Sequence, residues 1–107
     1  MPERAGGTRL NIAEFQAHIA RLYLDKDRAR GVPATFLWFM EEVGELAEAV
    51  RRDERASLAE EMADVAAWLA SLANLLDIDL TAAIAAKYPP GGCARCGQMP
   101  CACPEAA

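Results

Sequence analysis

Between Asn11 and Lys87 the apolar residues recur with a helical period, and no stretch alternates as a half-buried strand would. A chain patterned this way has only helix-on-helix packing open to it. Asn11, followed three residues later by Glu14, has the form of a capping box. Ile12, Phe15, Ile19 and Leu22 then share one face of a first helix that should fade near Gly31. Pro33 suits the first turn of a second helix, which carries the stripe Phe36, Phe39, Val43, Leu46 and Val50 and runs to about Arg52. Ser57 and Glu60 repeat the capping-box pattern and open a third helix with Leu58, Met62, Val65, Leu69, Leu72 and Leu76 on one side. Asp79 is placed to cap a short fourth helix holding Leu80, Ala83, Ile84 and Lys87, which Pro89-Pro90-Gly91-Gly92 must stop. The expected fold is therefore all-α, an antiparallel bundle of about four helices.

With 107 residues, 53% of them hydrophobic and 25% charged, the chain fits one small domain and leaves no material for a second core. The expected division is a flexible N-terminus over residues 1–9, a helical domain over 10–88, and a Pro/Gly linker with a Cys-rich tail over 89–107. A formal charge of -5 and the lack of any long Lys/Arg run argue against a nucleic-acid polymer as partner. The first residues lack the charged-then-apolar pattern of a signal peptide, and no apolar run nears the ~20 residues of a membrane span. The expectation is a cytoplasmic protein with no membrane partner. All four cysteines fall between Cys93 and Cys103, so they cannot cross-link the helices, and in a reducing cytosol they stay thiols or thiolates rather than disulfides. Cys93, Cys96, Cys101 and Cys103 could surround a structural Zn²⁺ tetrahedrally. Cys-x-x-Cys is the usual first half of such a knuckle, and Cys-x-Cys makes a tighter second half. The competing reading is an oxidisable tail without metal.

Two acidic clusters, Glu41-Glu42-x-x-Glu45 and Glu61-x-x-Asp64, sit inside the apolar helical sequence. Helices two and three are linked only by Asp53 to Ala56, short enough to force an antiparallel hairpin and bring the two clusters within reach of each other. At about 100° per residue, Trp38, Glu42, Glu45 and Ala49 share a face roughly opposite the Val43 stripe, and Glu61, Asp64 and Trp68 lie together on the third helix. Glu61 stands about 40° from the centre of the Val65 stripe and should be substantially buried. An unpaired ionised carboxylate there costs roughly several kcal/mol or takes up a proton, so it needs a cation. Arg51, Arg52 and Arg55 lie at or beyond the end of the hairpin, whereas Mg²⁺ held by oxygens neutralises several carboxylates at once. Any one of these glutamates alone is most simply a solvated surface residue, as Glu48 beside Arg52 would be. Two i,i+3 acidic pairs facing each other across a hairpin are what point to a divalent metal.

The run Glu41-Glu42-Val43-Gly44-Glu45-Leu46, then Glu61-Met62-Ala63-Asp64-Val65, and later Ile78-Asp79-Leu80 and Lys87-Tyr88 resemble the MazG-type nucleoside triphosphate pyrophosphohydrolases. The signature of that family is EExxE followed by ExxD, and the likeness spans roughly residues 10–88. It implies an all-α fold in which Glu42, Glu45, Glu61 and Asp64 bind Mg²⁺, with Mn²⁺ as a substitute, and in which Glu41 or Glu45 activates water. The implied reaction is hydrolysis of a nucleoside or deoxynucleoside triphosphate between its α- and β-phosphates, giving the monophosphate and pyrophosphate, in nucleotide-pool housecleaning. The implied assembly is a homodimer or dimer of dimers that completes the bundle. A chain this short agrees, because Trp38, Ala49 and Trp68 need a cover beyond one hairpin and one flanking helix. The lack of a Walker loop is no objection where metal engages the phosphates.

Further candidates are open to two readings each. Trp38 and Trp68 share the carboxylate faces and either flank a nucleobase or pack in a core or interface. Lys87 resembles the lysine after the fourth helix in relatives, a candidate phosphate contact. Lys26-Asp27-Arg28-Ala29-Arg30 either supplies phosphate contacts or is a solvated charge run, while His18 and Asn74 read as structural or exposed residues. An alternative of a different class is a non-catalytic helical dimer acting as a regulatory or binding module with a zinc-bound tail. The intact acidic quartet argues against it. A di-iron bundle would want Glu-x-x-His ligands, and the sole histidine, His18, lies outside both clusters.

Overall fold

The computed structural model describes residues 9–105, so the N-terminus expected to be flexible falls, apart from Arg9, outside the described residues. Four helices follow in order: α1 (Ile12–Arg30), α2 (Val32–Arg52), α3 (Arg55–Leu75) and α4 (Leu80–Lys87). No strand occurs among the described residues, and the fold is all-α as expected. No single described helix is long and apolar enough to cross a membrane.

Three boundaries follow from local chemistry. The Asn11 box is complete: Glu14 N–H donates to Asn11 Oδ1 at 2.7 Å and Asn11 N–H to Glu14 Oε1 at 3.0 Å. Gly31 ends α1 at φ +89°, a conformation that suits glycine, and α2 starts at once with Pro33 in its first turn. Asp79 caps α4 by accepting the Ala82 N–H at 3.1 Å.

The start of α3 departs from expectation. The helix begins at Arg55 with Glu54 as a cap residue that makes no side-chain capping bond, so Ser57 and Glu60 form no box. The cause is the turn. Asp53 adopts the left-handed conformation at φ +55° and turns its N–H back to Ala49 and Val50, which reverses the chain within two residues and draws Ser57 into the first helical turn.

α2 and α3 share the largest interface, and α1 packs across α3. The inward line of α2 is Thr35, Glu42 and Ala49, at seven-residue spacing; Thr35 and Ala49 are buried and Glu42 is half-buried. On α3 the matching line is Leu58, Val65 and Leu72, with Glu61 and Trp68 beside it. Such spacing keeps one seam facing the partner helix, as in a coiled coil. Where α1 crosses, α3 buries Ala70, Ser71 and Ala73, small residues that let backbones approach, and α1 contributes Ile19 and Asp27. Asn74, expected to be exposed, is half-buried here, exchanging hydrogen bonds with the Gln16 side chain at 3.1 Å and the Gln16 carbonyl at 3.2 Å.

The expected apolar stripes are only partly internal. Phe36 and Val50 on α2, Met62, Leu69 and Leu76 on α3, and Leu22 on α1 are exposed, and Leu37 and Met40 join them. α2 buries Thr35 and Ala49, keeps Glu42 half-buried along with Phe39, Val43 and Leu46, and leaves Phe36, Leu37, Met40 and Val50 outward. Ala49, expected to need a cover, is already covered within the chain. Large apolar residues that ask for a cover are exposed on both helices of the hairpin, Phe36, Leu37 and Met40 on α2 and Met62 and Leu69 on α3.

Candidate metal centre

The α2–α3 hairpin brings Glu42, Glu45 and Glu61 together, one carboxylate oxygen from each lying within 4.8 Å of the other two. Glu42 Oε2 and Glu61 Oε1 are buried without a hydrogen-bond partner. None of the described ion pairs reaches these three carboxylates: Arg30 holds Asp27, Arg51 and Arg52 hold Glu48, and Arg55 reaches Asp53. Burial, then the charges of Glu45 and Asp64, push the Glu42 carboxyl up from an ordinary 4.5 to about 7. Burial and the charge of Glu45 push Glu61 up as well. Two buried oxygens left without a hydrogen-bond partner in a cluster of three carboxylates are what an oxygen-liganded divalent ion would satisfy, so these residues fit such a group.

The remaining acidic candidates sit at the edge. Asp64 is exposed and outside the trio, yet near enough to raise Glu42, and Glu41 is exposed one position off the inward line. Asp64 opens onto a cleft of about 300 Å³ whose walls include Tyr23, Lys26, Arg30 and Trp68. Lys26 and Arg30 of the basic run thus share this cleft with Asp64, whereas Arg28 is exposed and does not line it. Trp38 and Trp68 stack on each other, centroids 6.1 Å apart at 13°, and the Arg30 guanidinium lies 5.0 Å from the Trp68 ring. Lys87 is exposed at the end of α4, a helix that packs on α1, and its ammonium lies 5.8 Å from the Tyr88 ring. His18 is exposed, outside the cleft.

Asp27, within the run expected to be a solvated charge segment or a phosphate contact, and Thr35, which the sequence does not single out, are both buried at the site. Asp27 is 1% exposed, with Oδ1 accepting from Arg30 Nη1 at 2.7 Å and Oδ2 unpartnered. Thr35, fully buried, accepts from the same guanidinium nitrogen at 3.2 Å. Together they fix Arg30 over Trp68. The signal was present in part, since Asp27 continues the half-buried line of Ala20 and Leu24 rather than the exposed side of α1.

The family model of the MazG nucleotide pyrophosphohydrolase domain matches residues 31–89, more than half of the chain. The chain belongs to this family. The match opens at Gly31, so α1 of this MazG protein, with its Asp27–Arg30 side of the cleft, lies outside the matched segment. No significant match appears among curated proteins. Away from the helices, the tail of the MazG chain gathers Cys93, Cys96, Cys101 and Cys103 into a second group able to hold a metal.

The raised Glu42 carboxyl carries a stability consequence. An acid whose folded value exceeds its unfolded one binds its proton more tightly when folded, so stability is full below 4.5 and declines as pH climbs through about 7. In chelator, the melting temperature should fall between about pH 5 and pH 8, and added Mg²⁺ should restore it at the alkaline end. A flat profile in chelator would show that the carboxylates are not strained.

Proposed function

We propose that this chain hydrolyses nucleoside or deoxynucleoside triphosphates between the α- and β-phosphates, releasing the monophosphate and pyrophosphate, with Mg²⁺ held by Glu42, Glu45 and Glu61 and by Asp64 at their edge. The observation that carries this is the pair of buried, unpartnered oxygens on Glu42 and Glu61 within the MazG hairpin. Bound Mg²⁺, or Mn²⁺ in its place, supplies neutralisation of triphosphate charge and polarisation of the reacting phosphorus. Lys26 and Arg30 line the cleft next to Asp64 and are suited to receive phosphate oxygens, and Trp68 offers an apolar wall for the base. In the reaction the oxygen of water bonds to phosphorus, the bridging P–O bond breaks, and the water proton passes to a carboxylate. Glu45, exposed and within the trio, suits that acceptor better than Glu41.

A second copy of the chain completes the bundle in this reading. The outward Phe36, Leu37 and Met40 of α2, with Met62 and Leu69 of α3, form the kind of apolar surface that a homodimer or dimer of dimers buries. A cytoplasmic setting with a free nucleotide pool, in which the enzyme removes unwanted triphosphates, fits the chemistry. Phosphorus NMR of the full chain with Mg²⁺ and a panel of triphosphates tests the reaction. Equal amounts of monophosphate and pyrophosphate are expected; diphosphate with orthophosphate would place the cut at the other anhydride and overturn the reading.

A further inference from the structure

The cysteine tail is built independently of the acidic site. After Tyr88 no described residue is helical, yet Cys93, Cys96, Cys101 and Cys103 converge, each offering a sulfur within 4.8 Å of the other three. All four are free, and Cys93 Sγ stands 3.8 Å from Cys103 Sγ. A disulfide needs about 2.05 Å between sulfurs. A tetrahedron with metal–sulfur bonds of about 2.3 Å has edges of about 3.8 Å. The spacing thus matches ligands around one ion and not a pair of disulfides.

The backbone around the sulfurs is also arranged for this. The Gly97 N–H donates to the Cys93 carbonyl at 2.7 Å and the Cys93 N–H to the Gln98 carbonyl at 2.9 Å, which curls Cys93 to Gln98 into a tight loop. N–H groups point at three sulfurs: Arg95 at Cys93 Sγ (3.4 Å), Ala102 at Cys96 Sγ (3.3 Å) and Cys103 at Cys101 Sγ (3.3 Å). Such donors favour thiolates and orient them toward an ion, the part that outer groups play around metal ligands. Gly92, at φ +149°, makes the loop possible, because a Cβ there would stand 2.4 Å from the Gly97 carbonyl oxygen. Four thiolates brought this close need a cation to offset their mutual repulsion.

We propose that Cys93, Cys96, Cys101 and Cys103 hold one Zn²⁺ in a closed, structural site that folds residues 93–103 into a knuckle. Four sulfur ligands leave no open position, so the ion organises the tail and does not take part in hydrolysis. Each thiol gives up its proton on binding, and the tail becomes ordered in the same step.

The test is metal analysis of the full chain, purified with zinc present and then dialysed, beside three variants. Wild type and Glu61→Gln should each retain about one zinc per chain. Cys101→Ser should lose it, and Gly92→Ala, which keeps every thiol, should release zinc to a chelator at least about 10-fold faster. Cobalt substitution should add sulfur-to-cobalt charge-transfer bands in wild type that are absent in Cys101→Ser. Zinc lost in Glu61→Gln, retained undiminished in Cys101→Ser, absent from wild type, or replaced by iron as the metal carried would each overturn the proposal.

Discussion

Replacing Glu61 with glutamine is expected to cut pyrophosphate release at saturating Mg²⁺ by at least about 100-fold while making the metal-free protein more stable. The two effects have opposite signs for one reason. Glu61 Oε1 is buried without a partner and lies near Glu42 and Glu45, so its charge strains the hairpin unless a cation is bound. An amide of the same shape removes the repulsion and the charge together. Melting in chelator at pH 8 should therefore rise as activity falls, with helical circular dichroism unchanged. A variant that loses stability and activity together would show that Glu61 serves packing.

In the proposed oligomer, Phe36→Asp is expected to separate the subunits into monomers. Phe36 is 47% exposed in the single chain, its ring tilted against Phe39, and borders the outward Leu37 and Met40. A carboxylate buried without a partner in an apolar interface costs roughly several kcal/mol, which is at least about 100-fold in the dissociation constant. Light scattering over a concentration series should give the mass of one chain for the variant and a multiple of it for wild type. Unchanged mass would mean that this side of α2 is not the subunit interface.

Much of the fold was legible because it is local. The Asn11–Glu14 box, Pro33 in the first turn of α2, and Asp79 before α4 each act within a few residues, and each stands where its chemistry requires. The start of α3 was misread because Asp53 could take a left-handed conformation and shorten the link, a choice that the Ser57–Glu60 pattern does not reveal. The burial of Thr35 and Ala49 on α2 was hidden for a different reason. Periodicity finds the most apolar face, and that face need not hold every residue turned inward: Phe39, Val43 and Leu46 of the stripe are half-buried, whereas Phe36 and Val50 are exposed. Thr35, Glu42 and Ala49 make up the inward line of α2, and a hydroxyl, a carboxylate and a single methyl do not mark a core face in sequence.

The acidic trio was readable because helix spacing and a short link determine which carboxylates can meet. Spacing and the ExxD resemblance both join Asp64 to these three, and the structure sets it beside them at the edge of the cleft. The Asp27–Arg30–Thr35 contacts were not readable, since they depend on how α1 docks on the hairpin. The two tryptophans were placed on the carboxylate faces correctly, and their mutual stacking is a property of the assembled hairpin.

The measurement that bears most directly on the centre is a Mg²⁺ titration of the wild-type chain, followed both by melting temperature and by pyrophosphate release from a panel of nucleoside and deoxynucleoside triphosphates at pH 8. Both signals should rise with Mg²⁺ and both should vanish in chelator. Release that is indifferent to Mg²⁺, or its absence with every nucleotide from folded protein, would contradict the assignment of the hairpin carboxylates as the metal site of a pyrophosphohydrolase.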